Sequence, residues 1–211
     1  MDTFCYLVQN MLPVAIPLLL VALGGMFSER SGVINIGLEG IMLFGAFFGC
    51  LTVLSIQNTG LHAQIILLIA MVVSALAGWV YSLLLSFAAV NMRADQTITG
   101  TAMNMLVPAA ILLFSKMNFN SDGITTSIAF YIREVPGLSK IPVIGDLFFK
   151  KTYLTVYIGF LLLIISAIIF YKTKFGLRLR ACGEHPQAAD SVGINVYHMR
   201  HMGVGISGIL G

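Results

Sequence analysis

Apolar residues gather along this chain into runs long enough to cross a bilayer, at about 11–27, 33–55, 63–90, 97–115 and 153–171. The cleanest is TYLTVYIGFLLLIISAIIFY, which ends at Tyr171 and carries no charge. The run 63–90 would be roughly 42 Å long as one helix, against a hydrocarbon core of about 30 Å. It is therefore expected to tilt, or to break near Gly78. Trp79 and Tyr81 fit either an interfacial anchor or a core position. Between the runs lie the short polar connections SERSG (28–32) and NMRAD (91–95), a long loop at 116–152, and a polar block at 172–200. The pattern predicts an all-α, polytopic transmembrane helical bundle. After residue 200 the stretch HMGVGISGILG turns apolar again and stops at Gly211. The expectation is a single transmembrane domain over 1–211, cut short at its C-terminus and forming the N-terminal part of a larger membrane protein.

Composition narrows the solvent. The 211 residues are 58% hydrophobic and 10% charged, with a mean hydropathy of +0.92, whereas a soluble domain carries about 25% charged residues. Much of the surface is expected to meet lipid. The net charge of +3 is too small to argue for nucleic acid. The three cysteines form no CxxC pair and imply no structural disulfide. Met1 to Asn10 lacks a basic leader, and no small-residue cleavage site follows, so the first run is expected to stay as a membrane helix. The four histidines, His62, His185, His198 and His201, lack ligand spacing on one helix face, and no metal site is expected.

Basic residues favour one orientation. With five spans, 28–32, 91–95 and 172–200 share a side holding Arg30, Arg93, Lys172, Lys174, Arg178, Arg180 and Arg200. The other side holds Lys116, Arg133, Lys140, Lys150 and Lys151. This places 172–200 in the cytoplasm and 116–152 outside. A re-entrant 28–40 segment would flip the N-terminus and leave the later assignments unchanged.

Polar residues inside the spans form stripes. Ser28, Gly32, Asn35, Glu39, Met42 and Ala46 are spaced as one face of a helix over 28–49. Gly45 and Gly49 form GxxxG, which permits close helix approach. A carboxylate facing lipid is costly, so Glu39 is expected to face protein or water. It either lines a polar pathway or is neutralised, with Arg30 as a candidate partner. Asp95 is a good N-cap for a helix starting at Gln96. Thr97, Thr101, Asn104 and Pro108 then share a stripe, as a second pathway wall or as interhelical hydrogen-bonding groups. Together the stripes make Asn35, Glu39, Thr97, Thr101 and Asn104 the pathway candidates.

In the polar block, GEHPQAADSVG reads as a short helix. Pro186 suits its first position, His185 or Glu184 its cap, and Gly193 its end. Ala188, Ala189 and Val192 give it small apolar sides. It fits either a groove on a partner protein or a surface meeting anionic lipid.

Three stretches, ERSGVINIGLEGIMLFGAFFG, ADQTITGTAMN and FGLRLRACGEHPQAADSVGINV, resemble the permeases of ABC-type nucleoside and simple-sugar importers. These belong to the binding-protein-dependent superfamily that includes the ribose and branched-chain amino-acid permeases. PGLSKIPVIGDLFF, in the long loop, resembles that family's external loop. The matches follow the family's order over roughly residues 13 to 200. The resemblance implies a multi-pass protein of the bacterial cell (inner) membrane. Two permease subunits would enclose the pathway, with a hetero-pair favoured, and an extracytoplasmic binding protein would deliver substrate. ABC ATPase subunits would dock on the coupling segment, carried over to Gly183, Glu184, His185, Pro186, Ala188, Ala189, Asp190 and Gly193. Purine nucleosides are the first expectation for substrate and simple sugars the second.

The chain itself carries no GxxxxGK[ST] phosphate loop, so it is expected to be no enzyme and to bind neither ATP nor a cofactor. Two other classes compete. An ATPase-independent secondary transporter or channel could use Glu39 for proton coupling. An intramembrane serine hydrolase would use the GISG at 205–208, with Ser207 needing a base within hydrogen-bond reach.

Overall fold

The computed structural model describes residues 2–120, 130–134 and 150–211. The stretch resembling the family's external loop, 136–149, lies outside the described residues.

Five long helices form the bundle: α1 (Asp2–Glu29), α2 (Leu38–Ile56), α3 (Ala63–Ser86), α4 (Gln96–Phe119) and α5 (Leu154–Lys172). Each contains a stretch long and apolar enough to cross a membrane. The chain is an all-α, polytopic membrane bundle with one small addition. Before α5, strands β1 (Tyr131–Glu134) and β2 (Lys150–Tyr153) pair antiparallel, with Tyr131 opposite Tyr153. Then α6 (Lys174–Glu184), α7 (Pro186–Ser191) and α8 (Val196–Leu210) follow.

Two expectations from hydropathy change. α3 does not break at Gly78; it runs on to Ser86 and ends in a π-helical turn over Phe87–Asn91. Gly78 serves close packing instead, since a Cβ there would collide with the backbone carbonyl of Gly208. The second change is larger. The helix expected over 28–49 is interrupted: residues 30–37 are non-helical, and Gly32 takes φ +88°. A left-handed residue cannot sit inside an α-helix, so the polar face from Ser28 to Ala46 does not exist as one stripe.

Small residues hold the bundle together. The GxxxG pair Gly45 and Gly49 packs α2 on Ser74 of α3. α8 is threaded against α1 and α3: a Cβ at Gly203 would lie 2.6 Å from Ser31 Cβ, and one at Gly24 of α1 2.8 Å from Ser207 O. In a bilayer the chains around a helix are as apolar as its side chains, so close backbone approach supplies much of the packing energy. The GISG motif is part of this seam. One apolar core joins α2, α3, α4 and α8 around Ile41, Tyr81, Leu85, Met103 and Val204. Another joins α1 and α5 to the polar block through Phe27, Phe170, Leu179, Cys182, Ala189 and Met199. Tyr81 is core, with its hydroxyl donating to Met103 O at 3.1 Å, while Trp79 is 40% exposed.

Candidate functional site

The break between α1 and α2 is built by its own residues. Ser28 Oγ donates to Val33 O at 2.7 Å, and Ser31 Oγ to Ser28 O at 2.6 Å. Val33 N–H returns to Ser28 O at 3.3 Å and Gly32 N–H to Glu29 O at 3.0 Å. This is a Schellman closure with Gly32 at the left-handed position. Non-helical backbone at membrane depth survives only where protein satisfies it, and here distant side chains do so. Ile34 N–H donates to Gln96 Oε1 at 2.8 Å. Asn104 makes two bonds at once: its Nδ2 donates to Ile36 O at 2.9 Å, and its Oδ1 accepts from Gly40 N–H at 2.7 Å. Asn35 is buried, and its Nδ2 donates to Ser207 Oγ at 2.9 Å.

The five pathway candidates therefore separate into two groups. Asn35 and Asn104 hold the unwound segment in place. Glu39, Thr97 and Thr101 are exposed in this single chain. Thr101 Oγ1 donates to Thr97 O within its own helix. Asp95 caps α4 as expected, accepting from Thr97 N–H at 2.8 Å and Ile98 N–H at 3.1 Å. No ion pair joins Glu39 to Arg30 among the described residues.

At the polar end, α5 turns into α6 at Thr173, whose hydroxyl accepts from Gly176 N–H at 3.2 Å. The Arg180 guanidinium lies over Phe170 and Tyr171, 5.3 Å and 5.7 Å from the ring centroids. α7 follows the expected grammar: His185 is the N-cap, Pro186 sits in the first turn, and Gly193 takes φ +82°. Glu184, His185, Gln187, Ala188, Asp190 and Val192 are exposed. Ala189 faces inward at 3% exposure. Gly183 also faces inward, since a Cβ there would strike Arg30 O. The eight coupling positions are thus partly outward surface and partly internal support.

The three connections placed on one side by charge do gather at one end. Gly183 meets Arg30 and Gly32, and Arg200 meets Gly32. A cleft of about 360 Å³ lies between Val90 and Arg93 on one side and Gln187, Asp190, Tyr197 and Arg200 on the other. Cys182 is fully buried here; burial pushes its thiol pKa up, and the nearby Arg200 charge pulls it partly back. Residue-type reasoning missed several of these groups. Gln96 and Asn104 as backbone clamps, Arg200 over Gly32, Arg93 at φ 54°, and the Ser86–His201 hydrogen bond all depend on tertiary proximity.

The hydrolase alternative loses its geometry. Ser207 Oγ accepts from Asn35, and His201 is engaged with Ser86.

The family model described as a branched-chain amino-acid transport system permease component matches residues 7–211. The chain belongs to this permease family. The permease is 48% identical over 201 residues to the guanosine ABC transporter permease NupQ of Bacillus subtilis (strain 168), covering 93% of this chain and 61% of that one. It is 40% identical over 210 residues to the nucleoside ABC transporter permease NupC of Lactococcus lactis subsp. cremoris (strain MG1363), covering 100% of this chain and 66% of that one. A putative glucose ABC transporter permease of Haloferax volcanii, TsgC13, is 29% identical over 196 residues. The chain spans between 61% and 66% of the length of the first two relatives. No solved structure matches it significantly.

Proposed function

We propose that this chain is a membrane-spanning permease subunit of an ABC importer that moves purine nucleosides into the cell across the bacterial cell membrane. One observation carries the reading: the relatives at 48% and 40% identity are a guanosine and a nucleoside permease, while the putative glucose permease stands at 29%. The chain performs no covalent chemistry and binds no nucleotide itself. ABC ATPases dock on the outward surface around Glu184, His185, Ala188 and Asp190, and a binding protein delivers solute from outside.

A second permease pairs with the open faces of this one. The exposed Glu39, Thr97 and Thr101 then offer the solute weak hydrogen bonds, while Asn35 and Asn104 hold the wall from which they project. Weakness suits transport, because a tightly held solute does not leave. ATP-driven movement of the ATPases would bias a switch between outward-open and inward-open states.

Uptake of labelled guanosine in cells lacking this chain is the test. Uptake lost on deletion, restored by the gene and abolished by loss of the ATPase supports the proposal. Restored uptake that survives without the ATPase and collapses with an uncoupler identifies a secondary transporter instead. Restored uptake of a pentose but not of guanosine corrects the substrate.

A further inference from the structure

The polar end contains a joint that neither charge nor family predicts. Residues 30–37, the unwound segment, are closed onto α1 by the Schellman bonds, clamped by α4, and gripped in addition by α6 and α8. Gly183, immediately before the coupling turn, approaches so closely that any Cβ would strike Arg30 O. Gly203 approaches Ser31, where an added Cβ would fall 2.6 Å from Ser31 Cβ. A Cβ at Gly32 would lie 3.3 Å from Arg200 Nη2 and 3.3 Å from Gly183 Cα. Further along, Asn35 reaches Ser207 on α8 at 2.9 Å. The Gly183–Arg30 contact is backbone against backbone, with no side chain between the two to absorb a displacement. A movement of α7 must therefore be passed on, because packed interfaces shift between arrangements rather than deform.

The same joint is incompletely satisfied. Among the described residues, four buried side-chain atoms have no hydrogen-bond partner, and two of them, Arg200 Nε and Asn35 Oδ1, sit at its two ends. Buried polar atoms are nearly always paired, so each exception calls for an explanation. Arg200 lies on α8 and Asn35 on the unwound segment, so the joint carries an unpaired polar atom on each side, and an arrangement that pairs them would gain those bonds.

We infer that the unwound segment 30–37 is the transmission element of the permease, carrying movement of the coupling turn to the pathway wall that begins at Glu39, with Gly183, Gly203 and Arg200 as positioning residues. The inference rests on the permease reading and names the route that reading leaves open. It also accounts for the helix break: a continuous helix over 28–49 would offer no loop to be gripped, whereas a segment held by outside partners can move with them.

The experiment measures, in the complete transporter in liposomes, guanosine imported per ATP hydrolysed, beside ATPase co-purification and basal hydrolysis. Arg200→Gln is compared with wild type, and Arg200→Lys keeps charge and approximate length should it fail to assemble. The expected result is normal co-purification, ATP hydrolysis within about twofold of wild type, and import per ATP reduced about tenfold. A purely structural role would lower assembly, hydrolysis and import together and leave their ratio unchanged. An unchanged ratio in every variant that assembles overturns the inference. Absence of ATP-driven guanosine import in wild type removes the permease reading itself, and shows before any substitution is made.

Discussion

Helix α5, an apolar run, and the region 28–40, rich in polar residues, differ in how their backbones are satisfied. α5 is 19 residues with no charge before its terminal Lys172, and every backbone bond can be made inside the helix. Its close contact with α1 is Gly159 against the Ile16 side chain. The region 28–40 is unwound at its centre, and its backbone leans on Gln96 and Asn104, more than 60 residues away. A helix that satisfies itself can be read from a local window. A segment satisfied by distant side chains cannot, because the partners decide its shape. The polar stripe over 28–46 had helical spacing, yet spacing is also what a chance scatter of six residues can show. Gly32 fits the helical spacing by position alone, whereas its freedom at positive φ is the property that shapes the chain here.

The sharpest way to break this comparison is to add volume at each kind of contact. Gly78→Ala would drive its Cβ into the Gly208 carbonyl, a backbone atom that cannot turn aside. The expected loss is about 3 kcal/mol or more, enough to prevent folding of the bundle. The matched change in α5, Gly159→Ala, meets only Ile16 side-chain atoms, which can move, and should cost about 1 kcal/mol. Thermal unfolding in detergent, followed by size-exclusion recovery, ranks them. Equal losses would mean that the α3–α8 seam is no tighter than the α1–α5 contact.

Next in size is the backbone clamp. Asn104→Leu removes both bonds to the unwound segment and leaves Ile36 O and Gly40 N–H without these partners. The expected cost is about 2 kcal/mol. Asn118→Ala removes a single exposed bond to Phe114 O in its own helix and should cost less than about 0.5 kcal/mol. If the two variants unfold at the same temperature, the segment does not depend on Asn104.

Legibility follows the same division. The five spans, the Asp95 cap, the close approach permitted by Gly45 and Gly49 and the Pro186-to-Gly193 turn were readable, because each depends on residues within one or two turns; that α3 is what those glycines meet was not. Asp95→Ala should accordingly cost the ordinary price of a lost cap, about 1 kcal/mol, seen as a modest fall in unfolding temperature. The role of the glycines in α8 was not readable. GISG reads in sequence as a serine-nucleophile pattern, and only the position of Ser82, Gly78 and Gly24 around it shows a packing seam. Among the candidate residues, Asn35 and Asn104 bond the chain itself, and Gly183 and Ala189, expected in the coupling segment, face inward.

The smallest effect tests whether the polar end is as closely packed as the contacts around Gly183 imply. Cys182 is buried among Phe27, Leu179 and Met199, and burial outweighs the Arg200 charge, so its thiol pKa lies above the ordinary value. With the folded pKa above an unfolded one of about 8.5, the neutral thiol's contribution to stability is fully present below pH 8.5. It is lost as pH rises through the folded value, because the unfolded chain ionises first. The difference in unfolding temperature between wild type and Cys182→Ser should therefore be the same at about pH 6.5 and pH 7.5. Maleimide labelling gives the more direct reading, in a protein whose other cysteines, Cys5 and Cys50, are replaced. Native Cys182 should react at least about tenfold more slowly than the denatured chain at pH 7.5, since both burial and the neutral thiol oppose attack. If native and denatured rates match, the end of the bundle opens freely, and a loose joint there could not pass motion from α7 to the segment at 30–37.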